Sequence, residues 1–208
     1  MIGSTSRSRL YELRRDRVAA IRSAELLERK REVLLRETSR RAARRDALRA
    51  AVAVAYARAS RLLAIARVEL GSEAVAAAAL AQPEAYTIEP REASVMGVRV
   101  PDLAVTTLPF RPAYGAASTR QSLDDAARAF HELLPEILRL AVAERAVSRL
   151  RMALRKTTKL VNALQKIVIP RLESEIRTTV DCIEEEERDE GVRRKVRMAA
   201  RRSTHIHP

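Results

Sequence analysis

Residues 9–34 read RLYELRRDRVAAIRSAELLERKREVL, and the spacing of the apolar residues in this stretch decides the fold. Leu10, Leu13, Ala20, Ala24, Leu27 and Leu34 recur at steps of three and four, with Arg17 and Arg31 at two intervening positions. This is an a/d heptad seam, and its 3.5-residue period implies a left-handed supercoil of two helices. The pattern continues through Ala42, Leu48, Val52, Ala55, Ala59, Leu62 and Ala66, with Arg45 at a further seam position. Between Arg9 and Leu80 there is no Pro, and only Gly71 interrupts. The first helix is therefore expected over residues 9–80, roughly 108 Å at 1.5 Å per residue.

Outward from that helix the character changes. Residues 81–120 hold five of the eight prolines (Pro83, Pro90, Pro101, Pro109, Pro112). Two short extended runs, Ala85–Ile88 and Val95–Val100, predict a small β-hairpin or turn-rich cap. A second helix is expected over 121–203. Ser122 is its candidate N-cap, and Asp124 and Asp125 sit in the first turn, where a helix favours negative charge. Its seam is read as Leu123, Ala127, Phe130, Leu134, Ile137 and Ala141, then Val147, Leu150, Leu154, Thr158, Val161 and Leu164, and on through Val168, Leu172, Ile176, Thr179 and Ile183. Pro135 and Pro170 fall inside the pattern, each removing a backbone donor and predicting a bend.

Helix, cap, helix implies that the chain returns along itself to bury both seams. The expected fold is all-α: a long antiparallel left-handed two-helix coiled coil with a small β-hairpin cap between the helices. A first helix that stops near Leu80 and a second that starts near Ser122 place Leu34 opposite Val168 and Leu27 opposite Ile176, to within about two turns.

Composition agrees with an elongated molecule. Aromatic residues make up 3% of the chain, Trp is absent and there are 5 Gly, whereas thick globular cores draw on aromatic area. Ala, Leu, Arg and Glu dominate, as in long helices. The net charge is +13, and over residues 1–50 Lys and Arg outnumber Asp and Glu by 15 to 7. Such a chain favours acidic partners, either nucleic acid or an acidic protein surface. The single cysteine, Cys182, rules out an intrachain disulfide and points to a reducing cytosol. The Arg- and Ser-rich N-terminal residues have no apolar core of a secretory signal, and no apolar run is long enough to span a bilayer.

The side chains that carry chemistry elsewhere do not converge here. His131 is far in sequence from His205 and His207, which stand in a Pro-ended tail, so no metal ligand set at recognisable spacing is present. Cys182 adjoins the seam residue Ile183 and is expected to pack as a small apolar residue, with no nearby His to activate it. Glu184–Glu187 read as a solvated helix face paired with Arg188 and Arg193. There is no Gly-rich phosphate loop. No catalytic, cofactor-binding or metal residue is expected, and no cofactor.

The basic stretches Arg14-Arg15, Arg29-Lys30-Arg31, Arg40-Arg41 and Arg44-Arg45 could neutralise phosphates. Glu25, Glu28, Glu32 and Glu37 are interleaved with them, and neither stacking aromatics nor a zinc motif accompanies them. A charged coiled coil with a protein partner is favoured; the alternative is a basic coiled-coil protein binding nucleic acid.

Residues 161–173, VNALQKIVIPRLE, resemble a signature of the D subunit of the V-type and A-type rotary ATPases. Ile176-Arg177 and Glu186-Glu187-Arg188 follow it as in that family. Residues 26–34 (LLERKREVL), 95–101 (VMGVRVP) and 130–134 (FHELL) are similar to further family segments in the same order. Glu28, Gln165 and Gly191 depart from the Lys, Glu and Phe usual in the family. The resemblance implies a non-catalytic central rotor shaft. Its paired terminal helices would penetrate the ring of catalytic and regulatory subunits (A and B). The small central-stalk F subunit would bind its side, and its cap end would sit on the funnel subunit above the membrane rotor ring. The shaft would couple ATP turnover to proton or sodium transport, cytoplasmic and peripheral to the membrane, with Arg-rich faces meeting acidic loops of the ring.

Overall fold

The computed structural model describes residues 7–82, 86–114 and 120–203, with side chains to residue 198. In chain order the elements are α1 (Arg7–Leu70), α2 (Ser72–Ala81), β1 (Tyr86–Val95), β2 (Val98–Thr107), α3 (Gln121–Ala163), a π-helical turn (Leu164–Val168) and α4 (Ile169–Ser203). The chain divides into two compact units, one of residues 1–31 with 156–208 and one of residues 32–155.

In the first of these units, the start of α1 runs antiparallel to α4. Arg17 donates two hydrogen bonds, of 2.9 and 2.7 Å, to Glu173 Oε1, and Arg7 donates one of 2.6 Å to Glu187. Leu13, Ala20, Ala24 and Val161 are buried. The seam Arg is thus explained: Arg17 lies half-buried along the apolar stripe and carries its guanidinium to a carboxylate, as long basic side chains do.

In the second unit, Gly71 ends α1. It takes φ 83°, a left-handed value that Gly adopts without a Cβ penalty, while its N–H still reaches the Arg67 carbonyl at 3.0 Å. The expected helix 9–80 is therefore two helices. α2 turns at Gly71 and buries Val75 and Ala78 with Ala66 of α1 and Leu123 and Ala126 of α3. Ser122 does not cap α3. Its hydroxyl donates to Glu69 Oε2 at 2.6 Å, tying the first turn of α3 to the last turn of α1.

That closure corrects the expected register. The return begins at Leu70 and Gln121, with α2 and the hairpin between them. Leu34 accordingly shares a buried cluster with Ala146 and Leu150, and it is Arg17 that faces Glu173. Arg17–Glu173 pairing lies roughly three turns earlier in the chain than Leu34–Val168 pairing requires, and the Leu34 cluster with Leu150 about five turns earlier.

The hairpin is longer than the two extended runs suggested. β1 and β2 pair antiparallel from Tyr86↔Thr107 to Val95↔Val98, so Val95–Val100 holds the turn and is not one strand. Met96 (φ 49°) and Gly97 (φ 78°) form the two-residue connection, and two positive φ values match the twist of the strands. Pro90 and Pro101 lie within the strands, opposite Leu103 and Glu92. Counting back from Val95↔Val98, both fall on pairs that exchange no backbone hydrogen bond, so neither missing N–H breaks the ladder. Val95, Val98 and Val100 share the face that packs on the Leu34–Ala146–Leu150 cluster. The hairpin therefore folds back along α1 and α3, and Arg149 reaches the Arg99 carbonyl beneath it at 3.4 Å.

α3 runs through Pro135 without interruption. Around Pro170 the backbone instead widens: the Ile169 N–H bonds the Leu164 carbonyl, five residues back. This widened turn immediately precedes Pro170, which has no N–H to donate.

Candidate functional site

At the corner where α1, α2 and α3 meet the roots of the hairpin, within the residue 32–155 unit, lies an open apolar cavity of ≈ 640 Å³. Leu63, Val75, Phe110, Tyr114, Phe130 and His131 are among its walls. Four of the six Phe and Tyr of the chain line it: Tyr86, Phe110, Tyr114 and Phe130. Most of the aromatic area of the chain is thus gathered at this one corner.

His131 does not stand as a ligand. Its ring stacks on Tyr86 with centroids 5.7 Å apart and meets the Phe110 ring edge-on at 5.5 Å. The guanidinium of Arg128 lies 5.9 Å over Phe110. Tyr114 Oη donates to Asp124 Oδ1 at 2.6 Å. Burial, reinforced by that hydrogen bond, raises the Tyr114 phenol above its ordinary range, and burial alone raises that of Tyr86. Gln82 Nε2, also on the lining, is buried without a hydrogen-bond partner. The cavity can thus seat apolar side chains and offers one unfilled amide donor.

Other side chains singled out in the sequence are dispersed. Cys182 is exposed, which corrects the expected packing role: Ile183 is half-buried, and its neighbour one residue earlier points outward. Glu184 and Glu185 both pair with Arg188, at 3.7 and 3.3 Å, while Glu187 reaches Arg7. His205 and His207 lie outside the described residues. Among the described residues no three His, Cys, Asp or Glu lie close enough to hold a metal ion.

Much of the basic charge is answered within α1. Arg15 pairs with Asp16, Arg31 with Glu28, Arg40 and Arg41 with Glu37, and Arg45 with Asp46. Glu28, the position that departs from the family's usual Lys, keeps Oε2 buried with no partner. The aromatic cavity itself was not read from the sequence. The available signal was the clustering of Tyr and Phe between residues 86 and 130.

A family model for the ATP synthase D subunit matches residues 9–198. The chain is 35% identical to the V-type ATP synthase D subunit of Thermotoga neapolitana, over 91% of this chain and 94% of that relative. It is 33% identical to the A-type ATP synthase D subunit of Pyrococcus furiosus, covering 91% and 90%, and 31% identical to the V-type ATP synthase D subunit of Thermus thermophilus, covering 92% and 86%. The match takes in α1, the hairpin, α3 and nearly all of α4, so the chain belongs to the D-subunit family of the V-type and A-type ATP synthases.

Proposed function

We propose that the chain is the non-catalytic central rotor shaft of a V/A-type ATPase or ATP synthase, carrying torque between ATP turnover in the ring and proton or sodium transport through the membrane rotor. The observation that carries this reading is the family match across residues 9–198. Antiparallel ion pairing between α1 and α4 supports it, since two helices tied side by side resist twisting better than one. Proposed partners are the catalytic (A) and regulatory (B) subunits of the ring, the small F subunit on the side of the shaft, and the funnel subunit above the membrane rotor. In this scheme residues 9–80 and 121–203 form the shaft, and residues 81–120 serve docking and coupling. The aromatic cavity at the hairpin roots, with its unfilled Gln82 donor, suits that docking role. None of the described helices is long and apolar enough to cross a membrane, which accords with a shaft placed on the cytoplasmic side, peripheral to the membrane.

The test is reconstitution. The purified chain should hydrolyse no ATP, should co-purify stoichiometrically with the ring subunits, and should couple their turnover to ion movement. Hydrolysis by the chain alone after removal of contaminants, or failure to join the ring, sinks the reading.

A further inference from the structure

We propose that a groove between α1 and α3, walled by Arg45, Arg49, Arg151 and Arg155, is the docking site for an acidic amphipathic helix of another subunit of the complex. The proposal rests on the rotor-shaft reading above. The groove encloses ≈ 240 Å³, with Glu144 and Met152 also on its lining. Each helix contributes two Arg at i,i+4 spacing. Like charges at that spacing destabilise an isolated helix, and the fold brings two such pairs together. Among the described residues only two carboxylates answer them: Glu144 pairs with Arg49, and Asp46 with Arg45. Arg151 and Arg155 are exposed and pair with no carboxylate among the described residues.

Charge complementarity requires an anionic occupant, and the apolar surface says which kind. Met152 is 60% exposed within the groove, and Tyr56, two turns beyond Arg49 on the same face of α1, is 55% exposed. A phosphate chain would satisfy the guanidinium groups and leave both side chains in water. A helix with carboxylates at i,i+4 and apolar residues beside them covers both. The i,i+4 spacing on the two sides then matches, and Arg–carboxylate pairs can close bidentately.

The full-length chain is titrated by fluorescence anisotropy with a labelled four-turn helical peptide carrying Glu at i,i+4 and Leu beside them. The same peptide with Gln for Glu, tripolyphosphate and single-stranded DNA are titrated in parallel. The acidic peptide should bind, and binding should weaken steeply with salt. Arg151→Glu with Arg155→Glu should weaken it about tenfold or more, Arg151→Lys with Arg155→Lys should restore part of it, and Met152→Ser should weaken the peptide but not tripolyphosphate. Peptide affinity unchanged by the Arg reversals overturns the site. DNA or tripolyphosphate binding tighter than the peptide, indifferent to Met152, overturns the choice of partner. In the assembled complex the same reversal should lower retention of one subunit while the rest co-purifies. If the wild-type chain joins the complex and the reversal changes nothing, the groove fails alone; if the wild-type chain does not join, the rotor-shaft reading fails.

Discussion

Val100→Ala tests whether the hairpin rests on the helices. Val100 is fully buried, in one cluster with Leu34, Ala146 and Leu150. Removing two carbons from that site forfeits about 0.8 kcal/mol each in transfer energy. The unfilled space adds a further cost that depends on how far the helices relax, and the total is about 2 kcal/mol. Docking of the hairpin should therefore weaken roughly thirtyfold, since 1.4 kcal/mol is a factor of ten. Amide exchange of Val95–Val100 should accelerate accordingly, while Thr106→Ala, at an exposed position of β2, should leave it nearly unchanged. Combining Val100→Ala with Leu34→Ala completes a double-mutant cycle, and residues in one cluster should couple by about 0.5 kcal/mol or more. Equal exchange in Val100→Ala and Thr106→Ala, with additive costs in the cycle, would mean that the hairpin is not seated on α1 and α3.

Gly71→Ala meets no atom within 4 Å, yet it must adopt φ +83° with ψ 153°; that region costs a side chain about 2 kcal/mol, and the thermal melt should fall by several degrees. Tyr114 keeps its proton more tightly when folded, because burial first and the Asp124 bond second raise its phenol. The stability this lends is complete below the ordinary value of about 10 and is lost as pH rises above it, so Tyr114→Phe should flatten the alkaline fall seen in urea melts. Pro170→Ala restores a backbone donor and should let the π-turn relax towards regular helix, holding or raising the melting temperature while coupled ATPase activity drops; unchanged coupling would make the widened turn incidental.

The first helix was legible because its seam is regular. Every apolar seam residue named from Leu10 to Ala66 is buried or half-buried, and Arg17, Arg31 and Arg45 are half-buried among them. The omitted member is Thr38, buried one turn past Leu34 with its hydroxyl bonded to the Leu34 carbonyl. In the second helix the reading slipped by one residue over Leu134, Ile137 and Ala141, which are exposed, while Leu133 is buried and Leu140 half-buried. The cause is local: Leu133-Leu134 and Leu140-Ala141 are apolar doublets, and a repeat of 3.5 cannot choose between neighbours when both are apolar. The hairpin was legible as a turn-rich insert, but its prolines hid its length. Their compatibility with the ladder depends on pairing parity, which appears only once the register is set by Met96-Gly97.

The π-turn shows why the signature segment resisted a purely periodic reading. Val161 and Leu164 are on the buried side before it, whereas Ile169, Leu172 and Ile176 return to that side afterwards, each one residue later than a strict heptad allows; Val168 is left 37% exposed. A π-turn inserts one residue into an α-helix, and that inserted residue accounts for the phase shift. The same insertion accommodates Pro170 without a severed helix, so the two departures from regularity have one cause. Heptad counting placed Leu172 and Ile176 on the seam but chose Val168 in place of Ile169, and it saw the proline only as a bend. The backbone joins the phase shift and the proline in residues 161–173, the stretch whose resemblance to the family is most specific.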